Sequence, residues 1–221
     1  MMNRKFDAVV FDMDGLMLDT ERLAIAAWDS LGQELYGVEN GGQLVYQTLG
    51  LKSSESKSIM ANFFGPSYNH EETIQAWRKF NANYIAQNGV PVKPGLYQLL
   101  QWLRNHNYKT AVASSTSAVS VMRHLNTAGL VQYFDAILCG DMVENGKPAP
   151  DIFALACNTL KVPVARCIGL EDSFNGIRSS YAAGLATVMI PDLVQPTPEI
   201  EALLYAKLNT LTDVINLLEQ A

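Results

Sequence analysis

Little in this chain points away from ordinary water-soluble chemistry. None of its 221 residues falls in an apolar run near the roughly 20 that a spanning helix needs, so a membrane role is not expected. Cysteine is scarce. Cys139, Cys157 and Cys167 are an odd number with no C-x-x-C pair, which argues against a disulfide framework and fits a reducing compartment. His70, His106 and His124 are the only histidines and lack metal-ligand spacing, which leaves them surface or packing roles. Positive charge is also short: 16 lysines and arginines against 22 acids give a formal net charge of -6, which repels nucleic-acid phosphates and anionic lipid. Any bound phosphate then depends on a small local site, and the expected partner is a small molecule, with no nucleic acid and no membrane. Arg4 and Lys5 precede an apolar run that breaks at Asp12, too early for the h-region of a secretory leader, so the expected compartment is the cytoplasm. Nothing suggests more than a monomer, and there are no repeats or low-complexity segments.

What is present is an ordinary globular composition, 48% apolar and 17% charged, long enough for one full domain plus a smaller insertion. The stretch Val9-Val10-Phe11-Asp12-Met13-Asp14-Gly15 organises the rest. A β-branched apolar run stops at two carboxylates spaced two apart, as at the C-terminal tip of a buried strand. In an open parallel sheet that tip is where ligands bind.

From Asp19 to about Asn88 the pattern is helical only. Thr20 is placed to cap a helix bearing Ala24, Trp28, Leu31 and Leu35 on one face. Gly41-Gly42 and the polar run from Lys52 to Ser58 break the pattern, Ile59, Met60, Phe63 and Phe64 form a short stripe, and Asn69 with Glu72 caps a helix through Ile74, Trp77, Tyr84 and Ile85. Gly89 to Gly95 marks the return to the main domain. The expected division is therefore 1–18 with 89–221 as core and 19–88 as helical insertion, hinged at Gly15 to Thr20 and Gly89 to Gly95, both read as flexible. Beyond it, strands at Thr110–Ala113, Ala136–Cys139, Cys167–Leu170 and Ala186–Ile190 alternate with helices, and the chain closes on a helix from Thr210 to Leu218. That alternation predicts an α/β fold, a parallel sheet with helices on both faces.

Polar clusters at Asp12/Asp14, Ser114 to Ser117, Lys147 and Glu171/Asp172 each follow a strand or open a helix, so the topology can bring all four to one sheet edge. Each alone has an ordinary reading as turn, cap, solvated lysine or first-turn acid; the ordered combination does not. Asp12, Glu171 and Asp172 offer hard oxygen ligands suited to Mg2+. Ser114 and the following backbone N–H groups, with Lys147, suit phosphate oxygens. Asp12 could attack phosphorus to give an aspartyl-phosphate, and Asp14 could serve as general acid and then base. The tryptophans Trp28, Trp77 and Trp102 read as packing residues first, and Lys52, Arg78 and Lys79 as solvated charges, one of which could hold a distal substrate group.

Asp12-Met13-Asp14-Gly15, Ser114, Lys147 within Gly-Lys-Pro-Ala-Pro-Asp, and Gly169-Leu170-Glu171-Asp172-Ser173 resemble the four motifs of the haloacid dehalogenase superfamily. The likeness spans essentially the whole chain, and the helical insertion is similar to the cap of the subgroup containing sugar-phosphate phosphatases and β-phosphoglucomutase. It implies a Rossmann-like three-layer core with an inserted all-helical cap. It also implies Asp12 as nucleophile and metal ligand, Asp14 as acid/base with its carbonyl on magnesium, Ser114 and Lys147 on phosphate, and Asp172 on the metal with Glu171 in support; Ser115, next to Ser114, is a further candidate for the phosphate. The dehalogenases proper lack the second acid and need no metal, so Asp14 favours phosphoryl transfer. The mutase carries a histidine where this chain has Ala24 and a cap arginine where it has Ser53, which weakens the mutase reading. The expected activity is magnesium-dependent hydrolysis of a small sugar or polyol phosphate, with hexose-phosphate mutase as the alternative. A receiver-type signalling module is disfavoured by the long helical insertion.

Overall fold

A computed structural model describes residues 4–51 and 53–221, with Ser53 and Ser54 described through their backbone alone. Lys52 therefore lies outside the described residues. In chain order the elements are β1 (Ala8–Phe11), α1 (Thr20–Tyr36), α2 (Gln43–Thr48), α3 (Ser53–Phe64), α4 (His70–Asn88), α5 (Leu96–Asn105), β2 (Lys109–Ala113), α6 (Ala118–Thr127) and β3 (Ala136–Leu138). They continue with α7 (Asp151–Leu160), β4 (Cys167–Glu171), α8 (Phe174–Ala182), β5 (Ala186–Met189), α9 (Pro198–Glu201), β6 (Ala206–Lys207) and α10 (Asp213–Glu219).

The six strands form one sheet in the order β3-β2-β1-β4-β5-β6, every neighbouring pair parallel. Period-two alternation sends successive residues to opposite faces. Val9, Phe11, Val112, Ile168, Leu170 and Val188 pack with α5, α6 and α10, while Ala8, Val10, Ala111, Ala113 and Cys167 pack with α7. The second face is built largely of small residues, which lets Phe153 of α7, fully buried, seat close to the sheet. All three cysteines are buried and free.

Helices α1 to α4 enclose a hydrophobic cluster of their own around Trp28, Leu31, Leu44, Val45, Met60 and Phe64. The chain leaves and re-enters the sheet domain along paired backbone: Asp19 N donates to Pro91 O at 2.9 Å and Lys93 N to Met17 O at 2.9 Å. Charges lock the crossing, because Lys93 and Arg22 each bridge Asp19 and Asp192. The first of these passages is not the loose linker that its sequence suggests. Leu16, Met17 and Leu18 are buried, and Met17 N and Leu18 N both donate to Met13 O, because three apolar residues in a row have the sheet's edge to cover.

Several local expectations change. Helix α3 starts at Ser53, within the polar run read as a break, since small polar residues are tolerated on an exposed helical face. The two-residue β6 and the six-residue α2 carry too little pattern to be read from sequence. Strands β3 and β5 each stop one residue earlier than expected. Asn69 does cap α4, accepting from Glu72 N, whereas Thr20 does not cap α1 and turns its hydroxyl into the sheet's edge. Among the described residues no helix is long and apolar enough to cross a membrane.

Replacing Phe153 with Ala is expected to cost about 3–5 kcal/mol of stability through the cavity left against the small-residue face, read as a lower midpoint in urea unfolding; a loss under about 1 kcal/mol would contradict the close packing of α7.

Candidate active site

Strand β1 ends at Phe11, and the next residue still follows the sheet: Asp12 N donates to Leu170 O at 3.0 Å. This places Asp12 between β1 and β4, where the strand order reverses and adjacent crossovers diverge to opposite faces. Strand β4 delivers Glu171 and then Asp172 to the same edge. Lys147, from the loop before α7, reaches in from below with only 2% of its surface exposed. Its Nζ lies 2.6 Å from Asp12 Oδ1 and 2.5 Å from Glu171 Oε1, and 5.0 Å over the Phe153 ring. Burial works to lower the Lys147 pKa, and the two carboxylates outweigh it, holding the ammonium charged.

Glu171 is saturated. Its Oε2 accepts from Asp172 N, Ser173 N and Ser173 Oγ at 3.1 to 3.2 Å. Gly176 is required beside it, because a Cβ there would lie 1.8 Å from Oε1. Asp14 is held through both oxygens: Thr20 Oγ1 donates to Oδ1 at 2.7 Å and Thr116 Oγ1 to Oδ2 at 2.9 Å, with Ser114 Oγ farther at 3.4 Å. Ser114 is fully buried and its Oγ accepts from Thr116 N. Ser115 turns the other way and donates to the carbonyl of Gly50 at 2.9 Å, so its hydroxyl ties the sheet edge to the helical insertion.

One acid in this cluster escapes a motif reading. Glu21, in the first turn of α1, is 8% exposed, and its Oε2 is buried without a hydrogen-bond partner among the described residues. A Cβ on Gly15, whose φ is +85°, would lie 2.3 Å from Asp172 Oδ2 and 2.8 Å from Glu21 Oε2, so the glycine lets both acids close over the turn. From sequence Glu21 is an ordinary first-turn acid, and Thr20 and Thr116 are ordinary cap and loop residues. Their only signal is proximity in the chain to Asp14 and Ser114. Of the surface and packing roles expected for the histidines, His124 takes the second. It is buried, not superficial, and burial holds its imidazole below the usual range.

Asp12, Glu171 and Asp172 each present an oxygen within 4.8 Å of the others, and Asp172 Oδ1 is buried without a partner among the described residues. Burial pushes Asp12 up to about 8 against the pull of Lys147, pushes Glu21 up to about 9 with help from Asp12 and Asp14, and carries Asp172 well above the carboxylate range. One lysine does not balance this many acids. Hard oxygen donors, an orphaned carboxylate oxygen and excess negative charge fit a divalent cation such as Mg2+.

Above the acids lies a cavity of about 360 Å³, floored by Asp12 and Asp14 and continuing between the helices of the insertion. Residues 9–190 match the sequence model of the haloacid dehalogenase-like hydrolases. The chain belongs to that family. A Drosophila melanogaster relative named "Probable pseudouridine-5'-phosphatase" is 36% identical over 197 residues, covering 86% of this chain and 83% of the relative. The Bacillus subtilis β-phosphoglucomutase is 30% identical over 188 residues, covering 82% and 81%. Among solved structures, CbbY from Rhodobacter sphaeroides in complex with phosphate superposes with a TM-score of 0.79 at 26% identity, covering 95% of this chain and 96% of that one. The matched stretch, residues 9–190, includes every residue of the sheet edge described above.

The raised acids set a pH dependence for the metal-free protein. Glu21 and Asp172 keep their protons to higher pH folded than unfolded, so the folded chain binds more protons from about pH 4 to about pH 9. Stability therefore falls as pH rises through that window. Asp7, drawn down to about 2 by Arg166 against the effect of burial, acts only below it. In chelator, Tm should be lower at about pH 8 than at about pH 5, and added Mg2+ should raise it far more at the higher pH. A chelated Tm that climbs over this range and ignores Mg2+ would remove the case for a metal centre.

Proposed function

We propose that this chain is a magnesium-dependent phosphatase that hydrolyses a small sugar-phosphate monoester through an aspartyl-phosphate on Asp12. The phosphatase class follows from the family and its relatives; the nucleophile, metal and ester are the proposal. One observation carries it: a buried carboxylate, paired with a charged lysine at 2.6 Å, sits on the floor of a cavity beside a second acid two residues on.

A carboxylate oxygen of Asp12 attacks phosphorus in line, and the bond from phosphorus to the ester oxygen breaks as that oxygen takes the proton of Asp14. Asp14 then accepts a proton from water, whose oxygen attacks the aspartyl-phosphate to release phosphate and restore Asp12. Thr20 and Thr116 aim Asp14 for both transfers. Lys147 holds Asp12 and offsets the charge that gathers on the phosphoryl oxygens, and Ser114 with the backbone beyond it offers donors to the same oxygens. A magnesium ion on Asp12, Asp172 and the Asp14 backbone, supported by Glu171, would neutralise phosphoryl charge when bound.

Residues 19–88 act in this reading as a cap that shields the aspartyl-phosphate from bulk water. Ala24 on the cavity wall supports hydrolysis over mutase chemistry, because the methyl group cannot exchange protons with a bound sugar.

Phosphate release from a panel of small esters should require Mg2+, and Asp12→Asn should lower kcat by at least about 1,000-fold. Conversion of a hexose 1-phosphate to its 6-phosphate without phosphate release would instead make the chain a mutase, and silence in both assays would end the reading.

A further inference from the structure

The cavity is not uniform, and its two walls ask for different chemistry. Beside the acids, Ser117 and then Ser120, Arg123 and His124 of α6 form a polar wall with hydroxyls, a guanidinium and an imidazole. The insertion contributes Trp28, Leu44, Met60, Ile74 and Trp77, an apolar stretch beside the polar Arg78 and Asn81. Trp28 and Trp77 stack there, with ring centroids 6.2 Å apart and planes 17° from parallel.

A simple sugar phosphate uses only half of this space. Its hydroxyls need hydrogen-bond partners once water is excluded, and the α6 wall supplies them, whereas hydroxyls pressed on the apolar wall would go unpaired. A compact sugar therefore leaves the tryptophan side wet. An alkyl chain would cover that side but leave its polar exceptions unanswered. On that side Trp77 Nε1 is buried without a partner among the described residues and Asn81, almost fully buried, joins it in the lining, while on the α6 wall His124 Nδ1 is likewise buried without a partner among the described residues. A flat ring with heteroatoms at its edge meets both demands, stacking on apolar aromatic surface while its edge atoms bond to the few polar groups.

Resting on the phosphatase reading, we propose that the substrate's organic group is a sugar bearing a planar heteroaromatic ring, as in a nucleoside 5'-monophosphate. The phosphoryl group sits on Asp12, the sugar against α6, and the ring against Trp28, Met60 and Trp77. These cap residues determine specificity and take no part in the bond-breaking step.

The test compares esters that share one phosphorylated sugar. With Mg2+ present, kcat/KM for uridine 5'-monophosphate should exceed that for ribose 5-phosphate by at least about tenfold, and Trp77→Leu should shrink that ratio to about threefold or less. Since the Trp77 variant can fail to fold, binding supplies a second readout: the inert Asp12→Asn protein, titrated by calorimetry, should bind the nucleotide at least about tenfold more tightly than ribose 5-phosphate. Equal kcat/KM and equal affinity for the two esters would overturn the proposal, as would preference for hexyl phosphate over the nucleotide, while phosphatase activity on the panel would leave the reading beneath it intact. If no ester releases phosphate, that reading fails and this proposal falls with it.

Discussion

The buried ammonium of Lys147 is the contact on which the site depends. A lysine with almost no exposed surface survives as a charge only if anions meet it within the interior, and here Asp12 and Glu171 do so at 2.6 and 2.5 Å. Each of the three comes from a different part of the sheet's edge: the end of β1, the end of β4, and the loop that enters α7. Their mutual attraction thus fixes the relative height of those elements. Sequence choices elsewhere follow. The alanines facing α7 let it approach, Phe153 supports the lysine from beneath, and Gly176 leaves Glu171 room to accept three hydrogen bonds through its second oxygen.

One lysine settles only part of the charge. Asp172 and Glu21 bring further acids to the turn at Gly15, and each leaves an oxygen buried without a partner among the described residues. A protein of net charge -6 would repel a phosphate ester from such a cluster, so affinity for the substrate must be conferred locally. A divalent cation on Asp12 and Asp172 would satisfy the orphaned Asp172 oxygen and reverse the local sign together. The acids that make the metal-free site unstable at higher pH are those that would make it bind metal.

Much of this was legible in the chain itself. Strand-then-helix alternation specified the parallel sheet, and each motif residue fell where a strand runs out or, for Lys147, where the chain enters a helix, at the edge where side chains have no further sheet to cover. Asp12, Asp14, Ser114, Lys147, Glu171 and Asp172 were all found this way and meet at one edge. What escaped depends on tertiary contact alone. Thr20 looks like a helix cap until Asp14 is seen within hydrogen-bond reach, Glu21 looks like a dipole-favoured acid until Gly15 turns it toward Asp172, and Ser115 looks like a phosphate ligand until Gly50 takes its hydroxyl. The buried course of Leu16 to Leu18 was hidden for a related reason: a short glycine-led stretch reads as a linker, and only the sheet edge above it shows what those side chains cover.

The contacts between insertion and core connect substrate choice to chemistry. Ser115, next to Ser114, donates to Gly50 O, and Asn175, two residues past Ser173, donates to Leu49 O at 3.0 Å. Gly50 itself needs its positive φ of +74° and lies so close that a Cβ would meet Ser173 Oγ at 2.8 Å. The same two loops that position Asp14 and Glu171 therefore grip the loop after α2, which belongs to the wall that would select the organic group. In the proposed cycle, opening to release product breaks both bonds and frees the Ser115 and Asn175 side chains, while the Lys147 bridge stays buried in the core. Selection and chemistry can then vary separately: residues of the insertion can change the ester accepted without disturbing the lysine on which the catalytic edge depends.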